Sequence, residues 1–260
     1  MSENTKVFVV VLALISIAVP IFYFACFHSG FGDQTTFGTF GDFFGGTIGA
    51  LTALISVVLI YHTYIQQVEI SQKQYQQNQR MSFEQNFFNL LQVQRDITKS
   101  IMIEQQNPQN TVEQIKYEGY KAIYKIVGDV KISMSQLFYE NDLKNWDFER
   151  IRRQIDILYS NVLIAYGDLT LGHYFRHLYH ILRYIELAEV ENKKVYRDFL
   201  QAQMSNEELF LLFFDSLSNY GYPKMYNVVS DGLLENLRYT EFDYFRVLCT
   251  KCYPNTKFKN

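Results

Sequence analysis

The sequence predicts an all-α protein, built as a two-helix transmembrane hairpin followed by a cytosolic helical domain. Residues 7–27 and 43–68 contain no Asp, Glu, Lys or Arg. A bilayer core of about 30 Å requires roughly 20 predominantly apolar residues in a helix, so both runs are long enough to cross it. Beyond these runs, apolar residues recur at helical spacing, and no series of alternating strands is indicated.

The first apolar run is predicted to be a membrane span and not a cleaved signal peptide. A cleavable signal has an apolar core of about 7–15 residues, followed by a small-residue cleavage site. This run is longer, and residues 21–27 at its end are rich in aromatic side chains. Such side chains are typical of a membrane interface.

The distribution of basic residues predicts the topology of the hairpin. Lys6 precedes the first span, while Lys73 and Arg80 follow the second; the connection at 28–42 has two Asp and neither Lys nor Arg. Because Lys and Arg favour the cytoplasmic side, both termini are expected in the cytoplasm. The lipid bilayer is therefore the first expected partner.

Small residues recur along the second span and form a groove on one face of the predicted helix. Such a groove lets a second helix approach closely in lipid. This indicates either the seam of a homo-oligomer or packing against the protein's own first span. The residues are Gly41, Gly45, Gly46, Gly49, Ala50 and Ala53.

Three parts follow from this pattern. They are the hairpin at 1–65, with spans at about 7–27 and 43–65, a helical stalk with the first cytosolic helix at 66–104, and a cytosolic all-α domain at 105–260. The 195 residues after the hairpin suffice for one domain.

The charges of these 195 residues are nearly balanced, with 23 Lys and Arg against 24 Asp and Glu. Nucleic-acid-binding proteins usually have a basic patch, so extensive nucleic-acid binding is not expected.

The cytosolic part predicts a succession of helices. Residues 66–80 are rich in Gln and continue the second span, but their apolar residues are too sparse to predict a sustained heptad coiled coil. Residues 105–110 read as a loop, and 112–127 as a helix that Gly128 breaks or bends before a second helical stretch to Tyr139. Further helices are predicted at 147–165, 173–188, 193–204 and 205–218, with a turn bracketed by Gly167-Asp168 and Gly172. Ser205 and Glu208 form a capping-box pattern for the last of these.

The densest polar cluster lies on the predicted helix at 173–188. Its members are His173, Arg176, His177, His180 and Arg183. At this spacing they share neighbouring faces of one helix. A metal site is one interpretation, since His is a common ligand, but paired acidic ligands are absent nearby. The favoured interpretation is a face that hydrogen-bonds neighbouring helices or binds a ligand or partner.

An RNase of the HEPN type is a further interpretation of this cluster. This all-α class has an Arg followed, after four to six residues, by a His. Here three residues separate Arg176 from His180, and no other pair fits the spacing. Arg176 and His180 would carry catalysis in that case, with the His as acid or base.

The remaining motifs indicate no cofactor and no metal. Cys26, Cys249 and Cys252 do not form a disulfide framework. Cys249 and Cys252 are half of a zinc pattern, but a structural zinc site needs four ligands. The sequence lacks a phosphate-binding Gly-rich loop, Gly-x-Ser-x-Gly and His-Glu-x-x-His. We therefore do not expect an enzyme.

Four segments together resemble a known family. They are Gly-Asp-Phe-Phe-Gly-Gly-Thr at 41–47, Phe-Glu-Gln-Asn-Phe-Phe-Asn-Leu-Leu at 83–91, Leu-Gly-His-Tyr-Phe-Arg-His-Leu-Tyr-His-Ile-Leu-Arg-Tyr-Ile at 171–185, and Ala-Gln-Met-Ser-Asn-Glu-Glu-Leu-Phe-Leu-Leu-Phe-Phe at 202–214. The chain resembles the phage abortive infection membrane proteins, two-span antiviral defence proteins that include retron-associated transmembrane effectors. Relatives often carry Asn-Pro after the double Gly, where this chain has Gly49 and Ala50.

The resemblance implies a membrane-anchored defence effector in the bacterial inner membrane. The cytosolic domain would sense infection, or a protein or ribonucleoprotein partner of a defence system, and the hairpin would perturb the membrane. Two alternatives stay open. One is a membrane-tethered HEPN-like RNase, and the other is a non-toxic scaffold or sensor that binds a partner protein. The family implies no catalytic residue for this chain.

Overall fold

Helices dominate the computed structural model of the chain. It describes residues 3–27, 34–107, 110–138, 143–166, 171–230, 232–238 and 243–258. The helices in these residues are α1 (Glu3–Phe27), α2 (Gln34–Ser100), α3 (Tyr120–Phe138), α4 (Phe148–Ala165), α5 (Gly172–Leu187), α6 (Lys193–Ala202), α7 (Asn206–Leu217), α8 (Lys224–Val229) and α9 (Asp243–Cys252). A short 3₁₀ turn, Leu143–Asn145, precedes α4. The expectation of an all-α class is met in its main features.

The chain divides into two compact units, Met1–Gln79 and Arg80–Asn260. Within the described residues, one helix is long and apolar enough to cross a membrane, along Gly41–Ser100 of α2. In α1 the apolar stretch is shorter, at Val9–Phe22, and contains Pro20. The predicted pair of spans is therefore supported for one helix only, and the predicted three-part division stays a prediction.

Helix α2 begins earlier than the sequence pattern indicated. The expected connection at 28–42 is helical from Gln34 onward, while 28–33 lies outside the described residues. No Pro interrupts this stretch, and Thr39 Oγ1 donates to the Thr35 carbonyl at 3.0 Å within the helix. The predicted continuation of the second span into a helical stalk is present, because α2 runs without interruption to Ser100.

A β-hairpin replaces part of the predicted loop and helix between 105 and 127. Strands β1 (Met102–Asn107) and β2 (Asn110–Glu118) pair antiparallel, with Ile103 opposite Tyr117. In β2, Ile115 and Tyr117 are half-buried whereas Gln114, Lys116 and Glu118 are exposed. This is the two-residue period of a strand. The expected helix over 112–118 was therefore wrong.

Gly119, and not Gly128, separates β2 from the next helix. Its φ of +57° lies in the left-handed region that favours glycine. The backbone of Lys99 lies 3.6 Å from the position that a Cβ would take there. Helix α3 continues through Gly128 to Phe138, so the chain does not break there, and the helical stretch expected after Gly128 is present.

The helices of the C-terminal half follow the sequence signals closely. Asp147 caps α4, and its side chain accepts the Arg150 N–H at 2.8 Å. The capping box at the start of α7 is present: the Glu208 N–H donates to Ser205 Oγ and the Ser205 N–H donates to the Glu208 carboxylate. Helices α5 and α6 lie where they were expected. Residues 167–170 of the turn predicted between Gly167 and Gly172 lie outside the described residues.

Helix α7 forms the centre of the core in the second unit. Every residue from Glu208 to Leu217 is buried, and the helix packs against α3, α4 and α8. Phe245 of α9 lies against three phenylalanines of α7, with ring centroids 5.1 Å from Phe210, 5.3 Å from Phe213 and 5.9 Å from Phe214. Aromatic contacts at these distances stabilise a core beyond the area that they bury.

We predict that Gly221→Ala destabilises the protein, because the turn after α7 has no room for a methyl group. A Cβ at Gly221 would lie 2.5 Å from the Asp215 carbonyl oxygen and 2.9 Å from the Ser216 Cα. Overpacking of this kind costs about 1–3 kcal/mol. Pulse proteolysis of the full-length protein in detergent across a urea series measures the loss in the free energy of unfolding.

Gly128→Ala is the matched control for this substitution. Gly128 lies inside α3, and the described residues place no atom within 4 Å of an added Cβ. Alanine should therefore leave the free energy of unfolding unchanged or raise it by up to about 1 kcal/mol. Equal effects of the two substitutions would contradict the steric argument.

Candidate functional site

Helix α5 has one face in the core and one face in solvent. The buried face consists of Tyr174, Phe175, Leu178, Ile181, Leu182 and Ile185. Four members of the predicted polar cluster, His173, Arg176, His180 and Arg183, are exposed, and the fifth, His177, is half-buried at the edge. The structure therefore brings the predicted residues together on one helix and leaves most of them open to a ligand or partner.

His177 joins this face to helix α2. Its Nδ1 lies 2.7 Å from the Oε1 of Gln94, a buried side chain of α2. Because an amide oxygen only accepts, this geometry assigns the Nδ1–H tautomer to a neutral imidazole. Burial lowers the pKa of His177, and the nearby His173 and His180 lower it further. The ring is therefore held neutral at pH 7, with its orientation set by α2.

A buried carboxylate, Glu208 of α7, holds the next set of contacts. One of its oxygens accepts from Tyr174 Oη at 3.0 Å and from Thr98 Oγ1 at 3.5 Å. The other accepts the Ser205 N–H at 2.8 Å. Glu208, Tyr174 and Thr98 are 2–3% exposed, so these bonds form away from water. Hydrogen bonds to a charged acceptor are about twice as strong as neutral ones.

Gln94, His177, Tyr174, Thr98 and Glu208 together form what we call the polar junction. It connects α2, α5 and α7 through side-chain contacts, since each helix contributes at least one member. Gln94 Nε2 is buried and has no hydrogen-bond partner among the described residues. An unsatisfied buried donor costs about 1–3 kcal/mol, so a change in packing that gave this amide an acceptor would recover part of that cost.

A second buried carboxyl, Asp215, lies on α7 away from the junction. It is 5% exposed, and burial raises its pKa from 3.8 to about 7. Tyr159 of α4 is also buried, and its hydroxyl has no hydrogen-bond partner within the described chain. Burial raises the pKa of Tyr159, and the Asp215 charge raises it further.

The predicted RNase pair, metal ligands and cysteines can also be located in the structure. Arg176 and His180 are both exposed and lie about one turn apart on α5, and the RNase interpretation of this pair stays a prediction. Among the described residues, no group of three His, Cys, Asp or Glu side chains could hold a metal ion. Cys249 and Cys252 are free and buried, and burial raises the pKa of Cys252 to about 12.

The small-residue groove of α2 faces open space in this structure. Within the described chain, no atom lies within 4 Å of a Cβ added at Gly41, Gly45, Gly46 or Gly49. Ala50 and Ala53 are exposed. The described part of α1 therefore does not fill the groove, and its role in homo-oligomer packing stays a prediction.

A cleft of about 380 Å³ lies among β1, α3 and α4. At its wall, Asp129 accepts from Lys125 Nζ at 2.8 Å and from the Tyr166 hydroxyl. Burial and the bond to Asp129 raise the pKa of Tyr166. Asp129 and Tyr166 are engaged with each other, so neither of these two groups points to a ligand.

Most of the polar junction could not be predicted from the sequence. His177 is part of the predicted polar cluster, and Glu208 is predicted only as half of a capping box. One signal was available: Glu208 immediately precedes the apolar stretch 209–214, where an acidic side chain in the first turn must be buried with the helix. The hydroxyls of Tyr174 and Thr98 and the amide of Gln94 carry no such signal, because their meeting depends on tertiary packing.

These features define a predominantly helical protein with one helix of membrane-spanning length and a polar junction that lies beyond the apolar stretch of that helix. Residues 168–242 match a protein family described as "Putative phage abortive infection protein". No curated protein and no solved structure matches the chain. The resemblance predicted from the sequence is confirmed for this segment, which contains α5, α6, α7 and α8. The match indicates a role in phage abortive infection.

We predict that Glu208→Ala destabilises the protein by about 3 kcal/mol. The substitution removes half of the capping box and leaves the Tyr174 hydroxyl without its acceptor, whereas the Thr98 hydroxyl still donates to the Gln94 carbonyl at 3.0 Å. Losing a helix cap costs about 1 kcal/mol, and a buried group left unpaired costs about 1–3 kcal/mol. Urea unfolding of the full-length protein in detergent gives the change. Glu207→Ala, in the same helical turn, should cost less than about 1 kcal/mol.

We also predict that Asp215→Asn changes the pH dependence of stability. Because burial raises the pKa of Asp215 from 3.8 to about 7, the folded protein binds this proton more tightly than the unfolded chain does. Its free energy of unfolding therefore falls as the pH rises from about 4 to about 7. The Asn variant should lose this slope and be more stable above that range, by up to about 4 kcal/mol.

Unfolding by urea at about pH 5 and about pH 8 measures this effect in the wild type and the variant. Asp198→Asn is the control, since Asp198 is exposed on α6. A wild-type slope that persists in Asp215→Asn would show that another group causes it.

Proposed function

We propose that the protein is a membrane-anchored effector of phage abortive infection. Its cytosolic helical domain senses infection or a partner, and its transmembrane hairpin then perturbs the inner membrane. The observation that carries this proposal is the composition of α2. The same helix contains the stretch of membrane-spanning length and the junction residues Gln94 and Thr98, which contact the segment matched by the family.

The sensing step is proposed to occur on the exposed face of α5. Arg176 and Arg183 have no ion pair among the described residues and are exposed, so they are available to a protein or ribonucleoprotein partner. His177 belongs to the same helix and contacts Gln94 of α2 directly. A partner that shifts α5 would therefore change the contacts that α2 makes in the polar junction.

The membrane step is proposed to use a two-pass anchor with both termini in the cytoplasm. Gly45 and Gly49 leave an open groove on α2, and a close approach of helices at such grooves drives association in lipid. We propose that association of several copies through this groove, after the sensing step, makes the bilayer permeable.

Gly45→Leu/Gly49→Leu is predicted to abolish phage-induced depolarisation. Since no described atom lies within 4 Å of either added Cβ, leucine fits within one copy of the chain and blocks only the approach of another helix. Membrane potential is followed with a voltage-sensitive dye in cells that express the protein during phage challenge. Early depolarisation before lysis is expected for the wild type and is expected to be absent in the variant.

Thr47→Leu is the control in the same span. Thr47 lies about 200° around the helix from Gly45 and about 160° from Gly49, on the other side of α2. This control should insert and depolarise as the wild type does. Growth arrest with an intact membrane potential would instead favour the RNase or the partner-binding scaffold.

A further inference from the structure

Helix α2 has a row of exposed apolar side chains that extends beyond its membrane-length apolar stretch. We call it the heptad row. Its members are Leu54, Val57, Tyr61, Tyr64, Val68 and Tyr75, which are 39–67% exposed. Their spacing alternates between three and four residues, with Ser71 at the one polar position. Such spacing keeps one side of a helix against a parallel partner helix over several turns.

Charged residues in the same part of α2 lie away from the heptad row. Glu69 and Lys73 form an ion pair of 2.7 Å, and together with Arg80 they occupy the outer positions of the heptad. The positions that flank the row after the span are all glutamine: Gln67, Gln72, Gln74 and Gln79. Two parallel copies in register would therefore bring no like charges together, and their uncharged amides could hydrogen-bond across the contact.

Lipid alone is a poor occupant for this surface. The predicted span ends near residue 65, and Tyr75 lies ten residues later, about 15 Å further along a helix. Tyr75 is 64% exposed, and every residue from 63 to 82 is exposed. A helical stretch without tertiary packing is marginally stable in water. A partner of this surface must therefore be apolar next to the membrane span and must also extend alongside α2 beyond it, in water. A second copy of α2 meets both requirements.

We propose that a second copy of this chain packs in parallel and in register against the heptad row. This inference rests on the membrane placement of α2 given under the proposed function, and it adds a second surface for self-association, which extends from the span into the stalk. The stalk alone has too few apolar residues to indicate a coiled coil. The row becomes visible only when the exposed end of the span and the stalk are taken as one helix.

Single cysteines along α2 test the proposal in the full-length protein in membranes. The background is Cys26→Ser, and Cys249 and Cys252 are buried. Val68→Cys and Ser71→Cys lie on the contact, whereas Gln66→Cys and Lys73→Cys lie on the outer side. Two cysteines form a disulfide only when their Cα atoms lie within about 7 Å. Mild oxidation should give a covalent dimer at 68 and 71 and monomer at 66 and 73; equal yields at all four positions would overturn the proposal.

Val68→Glu and Ile70→Glu are a matched pair that separates the row from general hydrophobicity. Both residues are exposed apolar side chains of the stalk, and only Val68 is on the row. Each substitution is added to the Ser71→Cys protein. Val68→Glu should prevent the disulfide between two copies of this chain at position 71 in that protein, whereas Ile70→Glu should leave it intact. Loss in both variants, or in neither, would contradict a specific contact. Disulfides at 68 and 71 without phage-induced depolarisation would uphold this inference and remove the proposed membrane mechanism.

Discussion

The complete burial of α7 is the constraint on which the rest of the second unit depends. Since every residue from Glu208 to Leu217 is buried, the polar groups at both ends of the helix need partners from the chain. At its start, the capping box uses one Glu208 oxygen, and Tyr174 and Thr98 bind the other. At its end, the Ser218 N–H donates to the Phe214 and Asp215 carbonyls. Satisfying α7 therefore fixes the positions of α5 and of the end of α2.

His177 and Glu208 both belong to the polar junction but differ in the number of contacts that hold them. The carboxylate has three donors and is fixed from two helices and a cap. The imidazole has a single described partner, Gln94, whose other amide atom is unsatisfied. The His177–Gln94 pair is therefore the less tightly held part of the junction, and a bound partner can rearrange it without breaking the bonds to Glu208.

The elements that the sequence predicted correctly are those whose signals are local. Asp147 and Ser205 mark helix starts through their own side-chain bonds, and these helices begin where expected. The β-hairpin was missed because Ile115, Ile123 and Ile126 also fit a helical spacing. Tertiary packing decided otherwise: the left-handed Gly119, placed against the Lys99 backbone, forces the chain to turn before α3 can begin. For the same reason the exposed polar cluster could be predicted from the sequence of α5 alone. The buried polar junction could not, because it forms only where α2, α5 and α7 pack together.

The segment matched by the family contains both buried and exposed faces of its helices. Residues 168–242 include the buried faces of α5 and α7, so much of that segment is needed to form the core. Arg176, His180 and Arg183 are exposed and contribute little to that core. The heptad row on α2 is likewise exposed, although apolar side chains in water oppose solubility. Because folding of the single chain requires neither surface, both are best explained by contacts that the chain makes with other molecules.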